Sequence, residues 1–132
     1  MTIEKQDIIA KFVNTHIVKN KRDRSLHELN KKRASFVSKL NHQIPDLFKE
    51  NRLIRINNPS LENIKSKLKA TSKTACYIIS HDELDDTIVE FDTAFNRLFG
   101  NGLGFCIVLT NGKGIYLEGE QIAGAPSRYF CL

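Results

Sequence analysis

The chain has no tryptophan, and its three cysteines, Cys76, Cys106 and Cys131, lie far apart in sequence. No Cys-x-x-Cys pair exists, which excludes a zinc ribbon or a dithiol redox motif. Each cysteine sits in an apolar stretch, as in Phe105-Cys106-Ile107-Val108, where a thiol behaves as a small hydrophobe. Apolar runs are only a few residues long, too short to cross a bilayer. The opening Met-Thr-Ile-Glu-Lys-Gln-Asp is charged where a secretion signal would be apolar. Walker, His-Glu-x-x-His and Gly-x-Ser-x-Gly patterns are missing, and His16, His27, His42 and His81 show no metal-ligand spacing. The expectation is a cytoplasmic protein without membrane contact, metal or cofactor. An active site at Cys106, Cys131 or His81 ranks last, since any partner would have to be brought in by the fold.

Charge is distributed unevenly. Residues 1–75 carry 17 Lys and Arg against 7 Asp and Glu, and residues 76–132 carry 3 against 8. Such asymmetry points to a charged partner or to a helical half that presents its lysines to solvent. The length of 132 residues is that of a single domain, here with a basic helical half (1–75) and an acidic sheet half (76–132).

Helical spacing of Ile8, Ile9, Phe12, Val13 and Ile17 predicts a first helix, with Thr2 as its cap. A second is predicted from Ser25, where Ser25 and Glu28 have capping-box spacing, through Leu29, Phe36, Val37 and Leu40 to Ile44. Pro45 ends it, and one short turn follows within 46–50. Leu53 to Ile56 reads as a short strand or a packed loop. After the break at Asn57 to Pro59, Ser60 caps a third helix through Leu61, Ile64 and Leu68. Tyr77, Ile78 and Ile79 favour a strand. The spacing of Leu84, Ile88, Phe91, Phe95 and Leu98 predicts a helix stopped by Gly100, starting at Asp92 or as early as Asp82. The β-branched Thr87-Ile88-Val89 conflicts with the earlier start. Asn111-Gly112 between apolar runs predicts a hairpin closed by a type I′ turn, and residues 128–132 form a last strand. The fold class is α+β: N-terminal helices packed on a small, mainly antiparallel C-terminal sheet with one inserted helix.

Three clusters invite a functional reading. Gly100-Asn101-Gly102-Leu103-Gly104 follows a helix and opens a strand, the reverse of a phosphate loop, and reads as a connection. Lys19, Lys21, Arg22, Arg24, Lys31, Lys32 and Arg33 form a basic segment suited to phosphate neutralisation, although no aromatic interleaves it for base stacking. Asp82, Asp85, Asp86 and Glu90, with Glu83, form an acidic segment. At a helix N-terminus it would be favoured by the dipole, and facing outward it would attract a basic partner.

Leu84-Asp85, Phe91, Ala94, Leu98 and Gly100-x-Gly102-x-Gly104, followed by Ile115-Tyr116-Leu117-Glu118-Gly119-Glu120, resemble the layout of small bacterial immunity proteins from toxin–immunity pairs, as in contact-dependent growth inhibition. The resemblance covers residues 77–120 and transfers no site. It implies a non-enzymatic toxin inhibitor, an antitoxin in the broad sense, that binds a protein toxin domain such as a nuclease. On this reading Asp82, Asp85, Asp86 and Glu90 dock the partner. The alternative is a nucleic-acid-binding module using the basic segment 19–33.

Overall fold

The computed structural model describes residues 3–57, 60–122, 124 and 126–132. Helices α1 (Ile3–His16), α2 (Arg22–Lys31), α3 (Arg33–His42) and α4 (Ile44–Leu47) come first, with a short helical turn at Lys19–Lys21. Strand β1 (Leu53–Ile56) and helix α5 (Leu61–Leu68) follow, then β2 (Ala75–Ile79), β3 (Ile88–Glu90), α6 (Phe91–Leu98), β4 (Phe105–Leu109), β5 (Ile115–Glu118) and β6 (Arg128–Cys131). The strands form one sheet in the order β1-β6-β5-β4-β2-β3. Every neighbouring pair is antiparallel. The architecture is α+β with α6 inserted between strands. No helix among the described residues is long and apolar enough to cross a membrane.

Strand alternation sends side chains to two separate cores. Tyr77, Ile79, Cys106, Val108, Ile115, Leu117, Tyr129 and Cys131 pack with α1 to α4. Cys76, Ile78, Phe105, Ile107, Leu109, Tyr116 and Phe130 pack with α5 and α6. Antiparallel sheets commonly leave one face wet. Here helices cover both faces, so the central strands read as unbroken apolar runs. Ser60 caps α5 as expected, its Oγ accepting from the Asn63 amide at 3.1 Å.

Three local expectations change. The helix predicted from Ser25 to Ile44 begins earlier, at Arg22, and breaks at Lys32, whose φ of −141° and ψ of 58° are not helical. Ser25 is buried inside α2, and the capping box does not form. Glu28 instead turns its carboxylate to Lys39 Nζ at 2.8 Å and Arg24 Nε at 3.3 Å, tying α2 to α3. Residues 82–86 are not helical. Residues 88–90 pair with β2 in the register Tyr77↔Ile88 and Cys76↔Val89, and α6 starts only at Phe91. The β-branched preference of Thr87-Ile88-Val89 therefore outweighs the helical spacing. The hairpin turn lies where expected but is of another kind. Leu109 and Gly114 close a four-residue loop, the Gly112 amide donates to Leu109 O at 3.1 Å, and Gly112 has a φ of 78° while Asn111 stays at negative φ. The caps and breaks expected at Thr2, Asn58 and Pro59 lie outside the described residues.

Candidate functional site

The acidic segment folds as a tight loop between β2 and β3. Asp82 Oδ1 accepts from the Leu84 amide at 2.8 Å, and the Asp86 amide reaches back to Ile78 O at 2.9 Å. Asp86 takes a left-handed φ of 62°, a conformation that aspartate tolerates better than most residues. The loop is clamped from below by Arg33, the first residue of α3. Its Nε and Nη2 hold both oxygens of Asp85, at 2.9 and 2.7 Å. Its Nη1 donates to the Tyr77 hydroxyl at 2.7 Å, and that hydroxyl donates to Asp86 Oδ1 at 2.6 Å. Burial first, and then the bond to Asp86, pushes the Tyr77 phenol above its ordinary range, so it stays a donor. Lys5 of α1 donates to Asp86 O at 2.6 Å, and Arg97 of α6 pairs with Asp82 at 2.9 Å.

Asp82, Asp85 and Asp86 are therefore engaged by cations of the same chain rather than facing outward in mutual repulsion. Glu83, with 89% of its side chain exposed, and Glu90 are the acids this segment presents to solvent. The helix-dipole account lapses for Asp82, Glu83, Asp85 and Asp86, because no helix starts at Asp82, and holds only for Glu90, the residue that precedes α6.

The basic segment is split in the same way. Arg33 belongs to the acidic loop, and Arg24 pairs with Glu28. Lys31 and Lys32 are exposed at the junction of α2 and α3. Lys19 and Arg22 line an open groove of about 540 Å³ together with Val18, Lys49, Glu50 and Asn51. The Ile17↔Phe48 bridge brings the two walls together, with the Lys49 amide donating to His16 O at 2.8 Å. Arg22 Nε bonds Ile17 O at 3.1 Å, and Arg52 Nη1 bonds Leu132 O at 2.8 Å. Partial desolvation, with Arg22 and Arg52 alongside, lowers the Lys49 ammonium below its ordinary range. Lys49 and Arg52 were not singled out from sequence. They lie some thirty residues from Lys19 and carry no local signal.

The nucleophiles are packed as core. Cys76, Cys106 and Cys131 are all fully buried. Burial pushes the Cys76 and Cys131 thiols up to about 12 and the Cys106 thiol well above its ordinary value. His16 is also buried, its Nδ1 3.2 Å from Cys131 Sγ. Burial, followed by the charges of Arg52 and Lys49, lowers this imidazole to about 4. His81 is exposed on the acidic loop. Among the described residues no group of three or more His, Cys, Asp or Glu is placed to hold a metal ion.

A further polar cluster had no sequence signal. Glu118 is completely buried and accepts from the Tyr116 hydroxyl at 2.7 Å, the Gly100 amide at 3.1 Å and Arg128 Nε at 3.3 Å. Burial raises its carboxyl above the usual range, against the pull of those three donors. Its place is structural: it ties the end of α6 to β5 and β6.

No family model matches the chain, and no curated protein and no solved structure matches it either.

Proposed function

We propose that the protein acts by binding rather than by catalysis, and that it is a toxin-neutralising immunity protein. The observation that carries the first half is the burial of all three cysteines and of His16. A thiol near 12 is almost wholly protonated at neutral pH, and the thiolate is the nucleophile. The imidazole of His16, at the end of α1, is buried and neutral near pH 7, with its Nδ1 taken up by Cys131 Sγ. What the molecule offers a partner is a stiff body with charged relief.

The 80–90 segment suits the second half. A loop already fixed by Arg33, Tyr77 and Arg97 loses little conformational freedom on docking. Glu83 and Glu90 would then meet a basic toxin face, and Asp82, Asp85 and Asp86 would act as positioning residues.

The test is chemical cross-linking and co-purification from the native host, followed by expression of the captured domain alone. The domain should arrest growth by itself and be neutralised when this chain is co-expressed. Glu83→Lys/Glu90→Lys should slow association most at low salt. A captured domain that is harmless alone removes the toxin reading.

A further inference from the structure

We propose that the groove between Lys19–Arg22 and Lys49–Asn51 is a binding site for the phosphodiester backbone of a nucleic acid. The site lies apart from the acidic loop and stands without the toxin reading.

Three observations converge on it. First, it is the place where the fold concentrates cations from two distant segments. Lys19 and Arg22 are three residues apart and share one side of a helical entry, and Lys49 faces them across the groove. Arg52 stands behind, close enough for its charge to act on Lys49 and on His16. Second, these cations are held by carbonyls rather than by carboxylates. Lys21 Nζ donates to Asp46 O at 3.1 Å, Arg22 Nε to Ile17 O and Lys49 Nζ to Asn14 O at 3.3 Å. A carbonyl orients a cation without cancelling its charge. That contrasts with Arg24, Arg33 and Lys39, each bonded to a carboxylate. Third, the lining side chains are charged or amide-bearing, although their aliphatic stems make up most of the exposed lining. Val18 is its one apolar residue, and no aromatic or large aliphatic anchor lies in it.

The third observation decides between ligand classes. Protein partners are held mainly by a few desolvated aromatic, aliphatic or arginine anchors seated in pockets. A wide, basic groove whose one arginine, Arg22, is already bonded to Ile17 O has no aromatic or large aliphatic anchor. A phosphate backbone needs only cations and the release of its counterions. With no stacking platform, binding should be indifferent to base sequence. Glu50 lies in the same lining and opposes a phosphate, which limits affinity and gives the site a testable sign.

The experiment is fluorescence anisotropy of a labelled mixed-sequence DNA oligonucleotide, single- and double-stranded, titrated with the protein at several salt concentrations. Three groove cations predict a log–log salt slope of roughly −2 to −3. Lys19→Gln/Lys49→Gln should weaken binding by about tenfold or more at low salt and flatten that slope. Lys31→Gln/Lys32→Gln, at the far end of α2, should leave both nearly unchanged. Glu50→Gln should tighten binding. A second readout does not depend on affinity. Burial is the main cause of the lowered His16 pKa, and anion binding beside Lys49 and Arg52 should offset the smaller contribution of their charges, so the ring should titrate higher with oligonucleotide bound, as read by NMR.

Four results would overturn the proposal: no salt-dependent binding at low ionic strength, an effect of the Lys31/Lys32 variant equal to that of the groove variant, weaker binding by Glu50→Gln, or polyglutamate displacing the oligonucleotide at equal charge concentration. The last would assign the groove to an acidic protein. Circular dichroism melting of each variant separates loss of binding from loss of fold, and Lys19→Glu, at an exposed position, repeats the test with little risk to folding.

Discussion

Arg33 and Asp85 form a two-pronged ion pair, at 2.7 and 2.9 Å, across fifty-two residues of chain. One belongs to the basic segment read from sequence and the other to the acidic one, so two candidate surfaces partly neutralise each other. The pair also ties the helical half to the sheet. Arg33 opens α3, Tyr77 lies on β2, the strand next to the β3 edge of the sheet, and Asp85 and Asp86 shape the loop beside it.

Arg33→Ala should therefore destabilise the protein by about 2–4 kcal/mol, because it leaves Asp85, Asp86 and the Tyr77 hydroxyl short of donors in a partly buried site. Arg33→Lys should recover little, since one ammonium cannot span both Asp85 oxygens and the phenol. Urea unfolding measures both. Hydrogen exchange at residues 80–87 should accelerate in the alanine variant beyond the global change. A variant within about 0.5 kcal/mol of the parent would mean that the loop holds its shape without Arg33.

The glycines of the 100–104 connection should respond very differently to alanine. A Cβ at Gly104 would lie 2.4 Å from the Leu40 carbonyl carbon and 2.6 Å from the Asn41 amide nitrogen. Both are backbone atoms of α3 that cannot step aside, so Gly104→Ala should cost about 3 kcal/mol or more. At Gly100 the space is open, and only the φ of 73° is at stake, which puts Gly100→Ala at about 1 kcal/mol. Equal losses in thermal melting would argue that α3 is not seated against the start of β4.

At the hairpin, the left-handed φ of Gly112 sets it apart from Asn111, a neighbour that a type I′ turn would treat alike. Gly112→Val should cost about 1–3 kcal/mol by forcing a β-branched residue into the left-handed region. Asn111→Ala should cost about 1 kcal/mol or less, losing only the bond from the Lys113 amide to Asn111 Oδ1 at 2.9 Å. Comparable losses at both positions would restore the two-residue turn.

Much of the fold could be read from the residues, and for identifiable reasons. Sheet strands buried on both faces are nearly continuous apolar runs, so β2, β4 and β5 stand out, while Ser60 marks the start of α5 and Gly112 the turn between β4 and β5. The break at Lys32 is hidden because Leu29 and Phe36 are seven residues apart, the spacing of one continuous helix, and both reach the same core. The acidic segment misleads because Leu84 and Ile88 fall on the helical spacing of α6 although they precede it. The basic groove was half legible. Lys19 and Arg22 declare themselves by charge, but Lys49 and Arg52 join them only through the Ile17↔Phe48 bridge, a long-range pairing with no local signature.

The buried His16 should make the protein sensitive to mild acid. In the fold its pKa is lowered to about 4, by burial first and by the Arg52 and Lys49 charges second, from an ordinary value of 6.5. The unfolded chain therefore takes up a proton as pH falls through 6.5, and the folded chain refuses it until about pH 4. Stability is fully present above 6.5 and is lost progressively between 6.5 and 4. At roughly 1.4 kcal/mol per pH unit, the loss by about pH 4.5 is at most 2–3 kcal/mol. Glu118 works in the opposite direction. Its raised carboxyl binds a proton more readily in the fold than in the unfolded chain, so it favours folding as pH drops. The two effects separate by comparison with His16→Leu, which fills the space beside Phe12 and Cys131 without a titrating group. Urea unfolding of both proteins should show the parent losing about 2–3 kcal/mol relative to the variant between pH 7 and about pH 4.5, and nothing between pH 7 and 8. Parallel curves throughout would mean that His16 meets water and titrates as it does in the unfolded chain.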